Sequence, residues 1–235
     1  MNEHISSAYD RDLEGITTLI MKMGGLVEEA ILKAAKSLAD RDVELAEEVR
    51  NGDKLIDALE IQINEEAART IALRAPVSKD LRSVLTVLRL AASLERIGDY
   101  AKNIAKRTSV LVEMSPVNGS DAALRRMARE VEQMLKDTLD SYLRGDADLA
   151  EDVRQRDQEV DQMYNALFRE FLTFMMEDPR NITACMHLHF MAKNIERMGD
   201  LTTNMAEQVI YLVTGEMPDE ARPKSDKTAF VTNPS

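Results

Sequence analysis

The sequence predicts an all-α protein: two homologous three-helix bundles, six long helices in total, with a short flexible C-terminal tail. Three observations carry that expectation. Gly and Pro number only 9 and 6 in 235 residues, so helix breakers are scarce. Apolar residues recur at steps of three and four, the period of a helix that faces a core. The second half of the chain also repeats the first. Leu45-Ala46-Glu47-Glu48-Val49-Arg50 returns as Leu149-Ala150-Glu151-Asp152-Val153-Arg154, and Glu95-Arg96-Ile97-Gly98-Asp99 returns as Glu196-Arg197-Met198-Gly199-Asp200. A period of about 100 residues is too long for a solenoid unit and reads as a duplicated bundle.

The first helix is expected from about Ser6 to Ala39, on the stripe Leu13, Ile16, Ile20, Met23, Val27, Ile31, Ala34 and Leu38. Asp40-Arg41-Asp42 is a tight connection. The second helix carries Leu45, Val49, Ile56, Leu59, Ile63, Ala67 and Ile71 on one face and stops at Ala75-Pro76. Proline removes a backbone donor and disfavours helix in the residue before it. Ser78 is a candidate N-cap for a third helix from Lys79 to about Glu113. Ser115 to Ser120 is the clearest linker. In the second repeat, helices are expected over Asp121 to Arg144, Ala147 to Met176 and Asn181 to Thr214. Gly145-Asp146, Asp178-Pro179 and Gly215 punctuate them. The first bundle then occupies residues 1–115, the second 120–216 and a flexible tail 217–235.

The formal net charge is −12, which argues against nonspecific binding to nucleic acid or an anionic membrane. Cys185 is the single cysteine, so no intrachain disulfide forms, and a cytoplasmic protein is the simple expectation. Neither a signal peptide nor an apolar run of transmembrane length is visible.

Four acidic pairs stand out. The second and fifth helices each carry D-x-x-x-D, as Asp53 with Asp57 and Asp157 with Asp161; the third and sixth each carry E-x-x-x-D, as Glu95 with Asp99 and Glu196 with Asp200. Residues i and i+4 share a helix face. Helices joined by a short turn pack antiparallel, so residues equally far from the turn lie side by side. The first two pairs are nearly equidistant from Pro76 and the other two from Pro179, so four carboxylates should meet in each bundle. The stripe Leu81, Leu85, Leu88, Ala92, Glu95, Asp99, Asn103 puts the acids on the continuation of an apolar face. Burying carboxylates together is costly unless a cation offsets the repulsion. Oxygen donors without cysteine suit iron(III), manganese, magnesium, calcium or zinc.

The bland alternative is that the acids are solvated or paired with Arg50, Arg96, Arg154 and Arg197, as most surface acids are. One such motif would favour that alternative; four, matched across two turns, favour a cation site. Asn103 and Asn204 are weaker candidates. His189 lies on the second acidic stripe, where Leu88 stands in the first repeat, and a packed histidine is its default role. Lys193 is placed to satisfy a carboxylate. Cys185 and the methionines around it read as core. Val87, Leu90, Leu94 and Ile97 form a second apolar face on the third helix, which implies a further packed layer from the other bundle or a second subunit.

The duplicated bundle, the paired acidic motifs, ERIGDYAKNIA (Glu95 to Ala105) with its second copy, MGGLVEEA (Met23 to Ala30), MMEDPRNIT (Met175 to Thr183) and VIYLVTGE (Val209 to Glu216) together resemble the PhoU family over about residues 3–216. That resemblance implies a non-enzymatic, often dimeric regulator acting with the ATPase subunit of the phosphate ABC transporter and a membrane sensor histidine kinase. It would restrain phosphate uptake and the starvation response, in the cytoplasm or recruited by partners to the inner membrane face. It implies that Asp53, Asp57, Glu95, Asp99, Asp157, Asp161, Glu196 and Asp200 hold metal cations such as iron, zinc, manganese or magnesium. Two other functions compete. One is a structural adaptor with arginine-paired acids and no functional metal. The other is a di-iron carboxylate enzyme, which the lack of any E-x-x-H pair disfavours.

Overall fold

The computed structural model describes residues 2–117 and 119–218. Its helices are α1 (Asn2–Asp40), α2 (Val43–Arg74), α3 (Ser78–Leu111), α4 (Ser120–Arg144), α5 (Ala147–Glu177) and α6 (Ile182–Thr214). A single 3-10 turn, Pro179–Asn181, precedes α6. No strand occurs among the described residues, so the fold is the expected all-α one. The expected tail lies outside the described residues beyond Pro218.

Local chemistry sets the turns. Asp42 and Asp146 occupy equivalent places in the repeats, and each caps the following helix by accepting a backbone N–H, from Leu45 at 2.9 Å and Leu149 at 3.0 Å. Ala75 ends α2 in the left-handed conformation (φ 47°), its N–H bonded to the Ile71 carbonyl, and Pro76 prevents continuation. Ser78 is not the cap expected of it. Val77 holds the N-cap position without a side-chain bond, and Ser78 is the first residue of α3. Val77, extended at φ −127°, has no side-chain acceptor to offer, and Ser78 itself sits in the left-handed region at φ 50°.

Helices α1, α3, α6 and α4 close into a ring in which each packs on its two neighbours; α2 lies outside across α1 and α3, and α5 outside across α4 and α6. One continuous core results, spanning both repeats. From α3 it takes Val84, Val87, Leu90, Leu94 and Ile97, and from α6 Leu188, Met191, Ile195, Met198 and Met205. The second apolar face read from the sequence is therefore the main buried face of α3, and the further layer it implied is the other repeat. The stripe that carries the acids is not apolar core. Leu85 and Ala92 are exposed, and Leu81 and Leu88 only half-buried. Since α3 touches α1, α2 and α6, its ring-facing side fills the interior and the acidic stripe falls at the outer groove beside α2. The methionine expectation holds for Met191, Met198 and Met205, whereas Met176 and Met186 are exposed.

Candidate functional site

The antiparallel hairpins α2–α3 and α5–α6 bring the acidic pairs together, and the glycine of each E-R-x-G-D motif sets the approach. A Cβ at Gly98 would lie 3.0 Å from Ile56 Cδ1 and 3.6 Å from Asp53 Oδ1; at Gly199 it would lie 3.3 Å from Val160 Cγ1 and 3.4 Å from Asp157 Oδ1. In both repeats the missing side chain thus makes room for the first aspartate of D-x-x-x-D and the apolar residue three positions on.

In the groove of the first repeat Asp53 is the deep member, 3 % exposed, while Asp57, Glu95 and Asp99 are half-buried. Lys102 reaches across from α3 to donate to Asp53 Oδ2 and, at 3.3 Å, to Asp99 Oδ1. The remaining oxygen, Asp53 Oδ1, is buried without a partner. Burial, and then the charges of Asp53 and Asp99, push the Asp57 carboxyl above its ordinary range, against the pull of Lys102. Glu95 is pushed up by burial and by the charges of Asp99, Glu60, Asp57 and Asp53. The four expected carboxylates therefore share one groove, with Glu60 beside Glu95. Neither Glu60 nor Lys102 stands out in the sequence. The spacing 53, 57, 60 on one helix, and Lys102 one turn beyond Asp99, are the signals that could find them.

The groove of the second repeat is deeper. Asp157, Asp161 and Glu196 are all buried, and Asp200 is half-buried. Lys193 donates to Glu196 Oε1 at 2.8 Å, as expected, and Glu196 Oε2 is buried without a partner. Burial raises the Glu196 pKa; Lys193 opposes that rise, and the charges of Asp200 and Asp161 add to it. Lys193 Nζ also stands 4.7 Å over the Tyr164 ring. His189 packs among Tyr164, Phe168 and Phe190, with ring centroids 5.4 to 5.9 Å away. Burial first, then Lys193, hold its pKa below the ordinary imidazole value. It is the packed histidine of the default reading.

Arg50 pairs with Glu47, Arg154 pairs with Glu151 at 2.7 Å and Glu207 at 3.4 Å, and Arg96 and Arg197 are exposed. Asn103 is exposed and lines a surface pocket with Lys106, Arg107, Val110 and His187 at the α3–α6 seam. Asn204 is exposed as well. Cys185 is buried, and burial pushes its thiol pKa up, which makes it unreactive.

Among the described residues no three His, Cys, Asp or Glu side chains stand close enough to hold a metal ion as placed. The donor chemistry nevertheless fits a hard cation. Each groove offers carboxylate oxygens, takes up a lysine ammonium, and leaves a buried carboxylate oxygen, Asp53 Oδ1 or Glu196 Oε2, unpartnered.

Fold and grooves together define the class: a twice-repeated helical-bundle protein that concentrates carboxylates in one groove per repeat. The family model of the PhoU domain matches residues 20–108 and 124–209. Phosphate-specific transport system accessory protein PhoU homologs are 44 % identical in Rhizobium meliloti and 45 % in Caulobacter vibrioides, over 96 % of this chain and 95 % and 98 % of theirs. The crystal structure of PhoU from Pseudomonas aeruginosa superposes with a TM-score of 0.86 at 38 % identity, covering 88 % of this chain and 100 % of that one. For the phosphate transport system regulatory protein PhoU from Streptococcus pneumoniae the values are 0.83, 32 %, 90 % and 100 %. The chain belongs to the PhoU family.

Proposed function

We propose that this chain is a non-catalytic accessory regulator of phosphate-specific transport. It restrains phosphate uptake and the starvation response as a cytoplasmic, metal-binding, homodimeric adaptor between the transporter ATPase subunit and a membrane sensor histidine kinase. The observation that carries the regulatory reading is near-full-length similarity to phosphate-specific transport system accessory proteins. In addition, no helix among the described residues is long and apolar enough to cross a membrane.

The unpartnered oxygens of Asp53 and Glu196 support the metal reading. Asp53, Asp57, Glu95 and Asp99 would hold cations in one groove, and Asp157, Asp161, Glu196 and Asp200 in the other. A bound cation would supply positive charge that offsets carboxylate repulsion. The chain's own part is to hold α2 against α3, and α5 against α6, close enough for that charge to be shared.

Capture from a phosphate-replete lysate tests the adaptor: the ATPase subunit and the kinase should co-purify, and recovery of neither would sink it. Elemental analysis of tag-free protein, with melting in the presence and absence of chelator, tests the metal. Cations that bind only the folded state must raise Tm. An unchanged Tm would favour the second reading, a structural adaptor whose acids are satisfied within the protein, for which the Lys102 and Lys193 pairs speak.

A further inference from the structure

The two grooves resemble each other in their acids and differ in their cation. In register with the E-R-x-G-D motifs, the first-repeat counterpart of Lys193 is Ala92, an exposed residue without charge, and the second-repeat counterpart of Lys102 is Thr203. Thr203 is buried and donates to the Gly199 carbonyl at 3.0 Å. Each groove thus receives an ammonium group from a position where the other repeat has none. Lys102 enters one turn after Asp99 and bridges α3 to the buried Asp53 of α2. Lys193 enters one turn before Glu196 and pairs with it on the same helix, with its charge over the Tyr164 ring.

In both cases the ammonium holds one oxygen of a deeply buried carboxylate and leaves the other without a partner. The ammonium therefore leaves its partner carboxylate half-satisfied in each groove. Both lysines keep part of their side chains in solvent, 41 % for Lys102 and 28 % for Lys193. A flexible four-carbon stem can therefore carry either charge out of the groove.

We infer that Lys102 and Lys193 are internal counter-ions that occupy the cation positions of the two grooves, and that a divalent metal binds each groove by displacing its lysine. The inference rests on the metal reading above and deepens it. It accounts for two facts together: carboxylates sharing one groove, and no three of them drawn to coordination distance among the described residues. It also makes the grooves unequal. Displacing Lys102 breaks a bridge from α3 to the buried Asp53 of α2, and displacing Lys193 breaks its pair with Glu196 and withdraws a cation from the Tyr164 ring.

Titration calorimetry of the full chain with Mn2+ as the sole metal tests the idea, alongside melting in chelator. Lys102→Met should tighten Mn2+ binding at one set of sites by about tenfold or more, the scale of one charge-assisted hydrogen bond. Lys193→Met should do the same at the other set. In chelator, Lys102→Met should lower Tm, and adding Asp53→Asn should restore part of the loss, because the variant then has no buried unpaired carboxylate at that position. Wild type that binds Mn2+ with affinity unchanged or weakened in both lysine variants would overturn the displacement and leave the metal reading standing. Absence of Mn2+ uptake by wild type and both variants would overturn both. A chelated Lys102→Met protein with wild-type Tm would overturn the counter-ion role by itself.

Discussion

Gly98 and Gly199 explain the least obvious letter of the repeated motif. Each sits where a helix must pass an aspartate at van der Waals distance, and each has a buried aliphatic side chain on the other flank. Gly98→Leu should lose about 1–3 kcal/mol of stability by overpacking in urea denaturation. Gly25 is the contrasting case: it is exposed on α1, and a Cβ added there would meet nothing within 4 Å. Gly25→Ala should therefore gain about 0.5–1 kcal/mol, because only backbone entropy changes. The acids make a second prediction at this scale. Glu95 is held above its ordinary pKa by burial and by its carboxylate neighbours. Ionising it costs more in the folded than in the unfolded chain, so the stability it contributes is full below the unfolded pKa and lost as pH rises through the folded one. In chelator at pH 7, Glu95→Gln should therefore melt higher than wild type, with the difference gone by about pH 4. A gap that persists at low pH would show that packing, not charge, separates them.

Among the elements, the turn from α1 to α2 shows how one repeat departs from the other. Its second-repeat counterpart uses Gly145 at φ 65°, but the first repeat places Arg41 in the same left-handed region at φ 53°. The arginine is held there by its guanidinium, which donates to the carbonyls of Leu111 at 3.3 Å, Met114 at 2.8 Å and Val112, closing the C-terminal end of α3. Arg41→Ala should cost about 1–3 kcal/mol, since it removes the charged donor and keeps the strained backbone. Arg41→Gly should cost less than Arg41→Ala, because glycine relieves the strain. Thermal melting of the two variants side by side checks the order, and equal losses would show that the strain contributes nothing.

For the whole molecule, the ring of α1, α3, α6 and α4 ties the repeats into one core. A duplicated sequence suggests two independent folding units, but the buried face of α3 is completed by α6. Unfolding in chelator should therefore be a single calorimetric transition. Ile97→Ala, at a fully buried position, should shift that one transition by about 2–5 kcal/mol without splitting it. Two resolved transitions, only one of them moved by Ile97→Ala, would show that each repeat folds alone. The outer positions of α2 and α5 follow from the same closure. They place the carboxylate grooves on opposite flanks of the ring, so the two sites share no side chain and differ as their own lysines dictate.

Much of this protein is legible in the chain itself. Six helices, their ends at Pro76, Gly145, Pro179 and Gly215, and the approach of the acidic motifs across each hairpin depend on local periodicity, breakers and equal distances from a turn. Those are properties of one helix or one hairpin, and residue spacing encodes them directly. Tertiary structure alone decided which face of α3 is core, why Asp53 is buried while Asp99 is half-exposed, and that Lys102 answers Asp53 across a helix pair. A helix with several apolar faces does not specify which neighbour covers each one. That choice is made when four helices close a ring, and the burial of each carboxylate, with the cation it finds, follows from the closure.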